Sequence, residues 1–405
     1  MSAPIIIVGA GQAGLQTAES LRSEGYTGDL LMVGSEALPP YHRPPLSKAY
    51  LLGEFAESQL TIRAPEALAR KGIQFLPGVT VTAIDRTAKR VSLSDERQLE
   101  YAGLCLATGS RARPLTVPGA NLRNVLPLRT LDDTRTIAAT LRSVQQVVVI
   151  GGGFIGLEFA AVARKLGKDV VVLEAAERLM PRVVPPLMSD FYTRLHARHG
   201  VRIELNAQVS EITGIDGRAA AVLTGDGRSF PAGLVVAGIG ILPNLELAQA
   251  AGLDCDRGIV VDACSRTSDA SIVAAGDCSV RRLTNGTLQR LESVQYAVEQ
   301  DKSAAAALLG KERPFTANPW FWSDQYDVKL QMAGLSSGHD TTVLRGDPEA
   351  QKFSCFYYRN DKLIAVDSVN RPEDHLPARK LLDTGITPSP VQAADPDVAL
   401  GTLLA

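Results

Sequence analysis

The sequence predicts an α/β protein: two similar parallel-sheet units followed by a smaller α+β domain. Three observations predict it. The stretch VVVIGGGFIGLEFA at 147–160 nearly repeats IIIVGAGQAGLQTA at 5–18, a full 142 positions earlier. Each copy places a β-branched run before a glycine turn and a helix-like segment after it, the order of a strand–turn–helix unit. From about Pro314 the character changes, with both tryptophans gathered in PWFWSDQYDVKLQMAGL.

The 405 residues suggest two or three domains at roughly 150 residues each. A composition that is 45% hydrophobic and 21% charged supplies ample core for an ordinary globular chain. The net charge of −2 argues against a nucleic-acid binder, which carries a basic excess. The longest apolar run, around Leu234–Leu242, falls well short of the ~20 residues that span a bilayer. No basic segment precedes the first apolar run, so no secretory signal is expected. Five cysteines, widely spaced and without a C-x-x-C pair, read as reduced cytoplasmic thiols. His196 and His199 in RLHARHG read as the last turn of a helix ended by Gly200, not as metal ligands.

Taken in order, the first unit opens with the strand Ile5–Val8, the turn and a helix, then DLLMVGSE ending at Glu36. VTVTAIDRTAKRVSL reads as an antiparallel hairpin, and LCLATGS at 104–110 closes the unit. The second unit echoes it: Val147–Ile150, turn, helix, DVVVLEAAE with Glu174, the hairpin QVSEITGIDGRAAAVL, and LVVAGIG at 234–240. A third closing run, SIVAAGDCS at 271–279, and an alanine-rich helix, Val294–Leu309, return to the first unit. The expected domains are therefore 1–112 with 243–313, 113–242, and 314–405.

A strand delivering G-x-G-x-x-G to a helix builds a phosphate site. The first glycine (Gly9, Gly151) permits the tight turn, and the second (Gly11, Gly153) lets a pyrophosphate approach the backbone. The third (Gly14, Gly156) lets the helix pack on the strand, and the free N–H groups of the helix N-terminus then face the phosphates. An acid at the end of the next strand takes ribose hydroxyls. Two complete copies imply two dinucleotides, and a protein holding two is expected to pass electrons between a bound flavin and a transient nicotinamide. AAGDCS is similar to the flavoprotein segment whose aspartate, here Asp277, contacts the flavin's sugar-phosphate chain, and this resemblance favours FAD at the N-terminal site. Glu174 favours NADH over NADPH, because a carboxylate repels a 2′-phosphate and EAAER has no arginine cluster to receive one.

RPPLSKAYL, LATGSRARPL, LRTLDD, GGGFIGLEFA, AGIGILPN, AAGDC, ESVQYA and WFWSDQY together make the chain resemble, over nearly its full length, the ferredoxin reductases of bacterial oxygenase systems. Putidaredoxin and rubredoxin reductases are of this type, with a glutathione-reductase-type fold. The resemblance implies FAD against Gly9, Gly11, Ala13, Gly14, Arg43, Lys48, Val81, Ala107, Thr108, Gly109, Arg129, Asp277 and Val294. Either Ser35 or Glu36 would hold the FAD ribose. It implies NADH against Gly151, Gly152, Gly153, Phe154, Ile155, Gly156, Glu158, Glu174, Gly238, Ile239 and Gly240. Lys48 and Glu158 would meet beside the flavin as the catalytic pair, where a cation favours the charge that develops on hydride arrival.

The disulfide reductases that share this fold carry a redox cysteine pair early in the chain, yet 36–60 contains no cysteine. The flavin is therefore expected to pass electrons directly to an outside acceptor, and the resemblance implies that they leave singly for a [2Fe-2S] ferredoxin that feeds a cytochrome P-450 or another oxygenase. An NADH oxidase-like enzyme or an apoptosis-inducing-factor-like flavoprotein is the alternative. Candidate ferredoxin contacts are Trp322 and a basic group of Arg281, Arg282, Arg290, Lys302 and Arg313.

Overall fold

The computed structural model describes residues 3–404, which form two compact units. The first comprises the chain up to His42 together with Glu57–Arg111 and Leu242–Pro319, and the second Arg43–Ala56, Ala112–Ile241 and the chain from Trp320.

In the first unit, five parallel strands stand in the order Ile272–Ala274, Gly103–Leu106, Ile5–Val8, Leu30–Gly34, Ile73–Pro77. The Ile5–Val8 strand is buried along its whole length, as a strand covered on both faces must be. Helices Gln12–Ser23 and Val294–Leu308 pack together, with Ala13, Leu15, Ala18, Ala297 and Ala304 in one core with Ile5 and Ile7. The small alanines let them approach closely. Val81–Asp85 and Arg90–Leu93 form the antiparallel hairpin expected from alternation, and Gln98–Glu100 adds a third strand to it.

The second unit repeats the centre of this design. Its parallel strands run Arg202–Glu204, Asp169–Leu173, Gln146–Ile150, Leu234–Ala237, Val125–Pro127. In both sheets the glycine-turn strand lies between the next strand in sequence and the closing strand. They differ at the edge beyond the closing strand, which is filled from late in the chain in the first unit and from before the glycine turn in the second.

The C-terminal sheet is antiparallel, in the order Trp320–Gln325, Val328–Gly334, Lys362–Val369, Lys352–Arg359, Thr341–Asp347. Helix Pro372–Thr384 lies against it. Val328, Leu330, Phe353 and Tyr357 of this sheet share a core with Phe159, Phe191 and Tyr192. The segment Arg43–Ala56, assigned to the first domain on sequence, packs in this second unit, because Leu51 enters that same core and Ser47 and Lys48 bond Glu158.

Candidate functional site

The two glycine turns have closely matching geometry. Gly9 and Gly151 sit at φ +116° and +106°, a left-handed conformation that favours glycine. A Cβ on Gly9 would stand 2.1 Å from the Ala107 carbonyl oxygen, and one on Gly151 would stand 2.5 Å from that of Gly238. Gly9 donates its N–H to Val33 O and Gly151 donates to Leu173 O, each at 2.8 Å. Gly14 and Gly156 press against the carbonyls of Gly9 and Gly151, where a Cβ would come within 1.9 and 2.2 Å. The chain itself therefore demands the first and third glycines.

The middle glycines differ. Gly11 (φ −81°, ψ −166°) and Gly153 (φ −82°, ψ 177°) have extended backbone that any residue adopts. A Cβ at either would meet nothing within 4 Å. Nothing in the chain requires glycine there, so the free space suits a ligand that approaches the backbone. Both residues begin a helix without a side-chain cap, leaving amide donors directed at that space. On these grounds the residues present fit two pyrophosphate-bearing cofactors.

The acids after the second strands are both tethered. Glu174 accepts from the Gly152 amide through Oε2 (2.7 Å) and from the Ala176 amide through Oε1 (2.8 Å), which ties its carboxylate to the turn. Glu36 is half-buried and accepts from the Tyr41 hydroxyl at 2.6 Å, whereas Ser35 is exposed. In the first unit, Thr108 and Asn244 lock together by reciprocal bonds of 2.8 Å from the Thr108 hydroxyl to Asn244 O and from the Asn244 amide to Thr108 O. Beside them Asp277, in the short 3-10 turn Gly276–Cys278, accepts from Ser110 at 2.8 Å. Ala13, Val81 and Ala107 are buried, and Gly109 lies at φ +63°. Val294 opens its helix just after the Ser293 cap.

In the second unit, Lys48 and Glu158 come together as the resemblance implied, 110 positions apart in sequence. Lys48 Nζ lies 2.6 Å from Glu158 Oε2, with the lysine side chain 17% exposed and the glutamate 4%. The Ser47 hydroxyl donates to the same oxygen (2.7 Å), and the Ser323 hydroxyl donates to Oε1 (2.7 Å). Arg43 donates to Arg129 O at 3.0 Å, while Arg129 leads into helix Leu131–Leu141 through the Thr130/Asp133 capping box. The Phe154 ring packs at a tilt against that of Phe321, with centroids 4.8 Å apart, and Ile155 is exposed. Gly238 donates to Ile150 O, and Gly240 accepts from the Arg113 amide.

Sequence reasoning missed Ser47, Ser323 and the groups behind Ser323. The signal was present: Glu158 is the only charge on a stretch, Gly156–Ala163, that is buried all round, and such a charge must have partners. His196 and His199 do end a helix, Pro186–Arg198, but His196 is wholly buried and bonded to Gln325, and His199 stacks on Tyr326.

The candidate docking residues differ from one another. Trp322 is half-buried with its ring 5.4 Å from that of Trp320, which carries the Arg379 guanidinium at 4.7 Å. Of the basic group, Arg290 pairs with Glu292, Lys302 with Glu299 and Arg313 with Glu24. Arg281 turns inward, donating to Phe315 O and lying over the Phe315 ring. Arg282 is exposed.

Residues 3–300 match the pyridine nucleotide-disulphide oxidoreductase family, and residues 320–404 match the reductase C-terminal family. The chain belongs to the pyridine nucleotide-disulphide oxidoreductase family. It is 47% identical to rhodocoxin reductase from Rhodococcus erythropolis over 99% of this chain and 94% of that one. It is 43% identical to putidaredoxin reductase from Pseudomonas putida, over 99% and 96%. Among solved structures it superposes with TM-score 0.97 at 42% identity, over 100% of both chains, on the ferredoxin reductase for the CYP199A2 system from Rhodopseudomonas palustris. A covalent putidaredoxin reductase–putidaredoxin complex gives TM-score 0.96 at 42% identity, over 100% of this chain and 98% of that one. Despite the family's title, all five cysteines here are free, and four of them are buried.

Proposed function

We propose that this chain is an FAD-dependent NADH:ferredoxin oxidoreductase, with FAD at the first glycine turn and NADH at the second. The observation that carries the reading is the pair of open positions at Gly11 and Gly153 in a chain with no cysteine between 36 and 60. Bound FAD supplies the conversion from one hydride received to two electrons released singly. The protein's residues bind, orient and balance charge.

Gly9, Gly11 and Gly14 present the helix Gln12–Ser23 to the FAD pyrophosphate, and Asp277, Thr108 and Gly109 line the sugar-phosphate chain. Glu36, held half-buried by Tyr41, is the better-placed ribose acceptor than exposed Ser35. Gly151–Gly156 and the Gly238–Gly240 turn receive NADH, and Glu174 takes the adenosine ribose hydroxyls while repelling a 2′-phosphate. Lys48 is the cation that favours negative charge on the flavin side, and Glu158 holds it in place. Arg43 and Arg129 complete the set that the resemblance assigns to FAD.

The electron acceptor is a [2Fe-2S] ferredoxin supplying a cytochrome P-450 or other oxygenase, as the named relatives serve ferredoxin-type partners. No helix among the described residues is long and apolar enough to cross a membrane. A cytoplasmic location follows from the reading of the cysteines as reduced thiols.

The test is steady-state turnover of the FAD-loaded protein with NADH, a putidaredoxin-type ferredoxin and cytochrome c as final acceptor. Cytochrome c reduction should depend on the ferredoxin. Full NADH consumption without it, with matching oxygen uptake, would establish an NADH oxidase instead.

A further inference from the structure

Behind Ser323 the buried hydrogen bonds continue in one line. The Tyr326 hydroxyl lies 3.1 Å from His196 Nδ1, His196 Nε2 lies 2.8 Å from Gln325 Oε1, and the Gln325 amide donates to Ser323 Oγ at 3.2 Å. Ser323 in turn donates to Glu158 at 2.7 Å. Ser323, Gln325 and His196 are all essentially inaccessible to solvent.

Each junction has a defined direction. Glu158 also accepts from Ser47 and Lys48, so Ser323 must donate to it. The Ser323 oxygen then accepts from the Gln325 amide, whose carbonyl oxygen requires a donor at His196 Nε2. With its proton on Nε2, His196 has only Nδ1 left to accept, which the Tyr326 hydroxyl satisfies. Burial pushes His196 down to about 4, so the ring is neutral at neutral pH and has one donor and one acceptor.

We infer that Tyr326, His196, Gln325 and Ser323 are positioning residues, a head-to-tail chain whose every donor points toward Glu158. The chain fixes the Glu158 rotamer that holds Lys48. Aligned hydrogen bonds in a low-dielectric interior polarise one another, so the last donor is stronger than an isolated serine would be. Alternation along the strand Trp320–Gln325 supplies the arrangement: Ser323 and Gln325 share one face, from which Ser323 reaches Glu158 and Gln325 reaches His196. A Gln in the middle conducts protons poorly, so the chain positions Glu158 and is not a proton exit.

The inference rests on the proposed role of the Lys48–Glu158 pair, but its first test does not. Long-range ¹H–¹⁵N correlation on the unmodified FAD-loaded protein, with His196 assigned through His196→Gln, should show the Nε2–H tautomer at pH 7. An Nδ1–H tautomer or an imidazolium would overturn it. Second, Ser323→Ala and Gln325→Leu should slow flavin reduction by NADH about tenfold, the worth of one hydrogen bond to a charged group, without changing NADH affinity more than about twofold. Ser323→Thr, which keeps the hydroxyl, should retain the parent rate. Parent rates in both deletions would overturn the positioning role. If Lys48→Ala were also silent while the tautomer matched, the chain would stand and the role of the pair would fall.

Discussion

Glu158 lies within a run of small and apolar residues where a charge costs several kcal/mol unless it is fully paired. Its three hydrogen-bonding neighbours in space, Ser47, Lys48 and Ser323, offset that cost only together. Lys48→Ala leaves a buried carboxylate short of its cation and should slow hydride transfer by at least about tenfold while FAD stays bound. Stopped-flow reduction at saturating NADH reads this directly, and a parent rate in that variant would make the pair merely structural. Glu158→Ala removes the acceptor for three donors and frees Lys48, so it should slow hydride transfer at least as much as Lys48→Ala does. Glu174 has a different duty. As a contact to a remote ribose it contributes uniform binding, so Glu174→Ala should raise the KM for NADH and narrow the preference over NADPH, with kcat nearly unchanged. A large fall in kcat with KM intact would contradict that assignment. Lys48, Glu158 and Glu174 were legible because each sits inside or just after a motif. Ser47 and Ser323 were not, because a serine hydroxyl becomes informative only when a partner 111 or 165 positions away is brought to it.

Among the elements, the strand Trp320–Gln325 presents two faces. Phe321, Ser323 and Gln325 point toward Phe154, Glu158 and His196, while Trp320 and Trp322 stand on the other face, with Arg379 over Trp320. The charged group expected to attract an acidic ferredoxin is largely neutralised at home, since Arg290, Lys302 and Arg313 already have carboxylate partners. Sequence clustering could not reveal those partners, because Glu24 lies nearly 290 positions from Arg313. Trp322→Ala should therefore raise the KM for ferredoxin about tenfold, the effect of losing an aromatic anchor, and leave reduction by NADH unchanged. Charge reversal at Arg290 or Arg313 should change it by less than about twofold. The opposite ranking would restore the basic patch as the docking determinant.

The strand Lys362–Val369 carries another buried acid. Burial raises Asp367 to about 7, although Tyr357 donates to it at 2.8 Å. In the unfolded chain such a group titrates near 3.9, about three units lower. Between these values the folded state holds the extra proton, so the contribution to stability is complete below about pH 4 and is lost as pH rises through about 7. Asp367→Asn keeps an acceptor for Tyr357 and has no such proton. Its melting temperature should gain on the parent's from pH 5 to about pH 7 and then level off. A constant difference across that range would show that Asp367 does not titrate there.

Over the whole chain, the two parallel sheets and their glycine turns were legible from the repeat alone, because turn geometry is local and the same backbone problem has the same solution at Gly9 and Gly151. The five-stranded C-terminal sheet was visible only in part, as separate β-branched and aromatic runs whose order no local signal encodes. The placement of Arg43–Ala56 with the second unit was hidden for the same reason: Leu51 and Lys48 find their partners through the tertiary fold. The central claim is that the two matching turns hold different dinucleotides, FAD first and NADH second. Gly153→Val tests it most directly, since the backbone there admits any residue and a Cβ meets nothing, so the fold should survive. The purified variant should carry FAD in parent stoichiometry by its visible absorbance, yet be reduced by NADH at least about a hundredfold more slowly at a fixed low concentration, as a blocked pyrophosphate site requires. Loss of FAD from Gly153→Val, or reduction by NADH at the parent rate, would contradict the assignment.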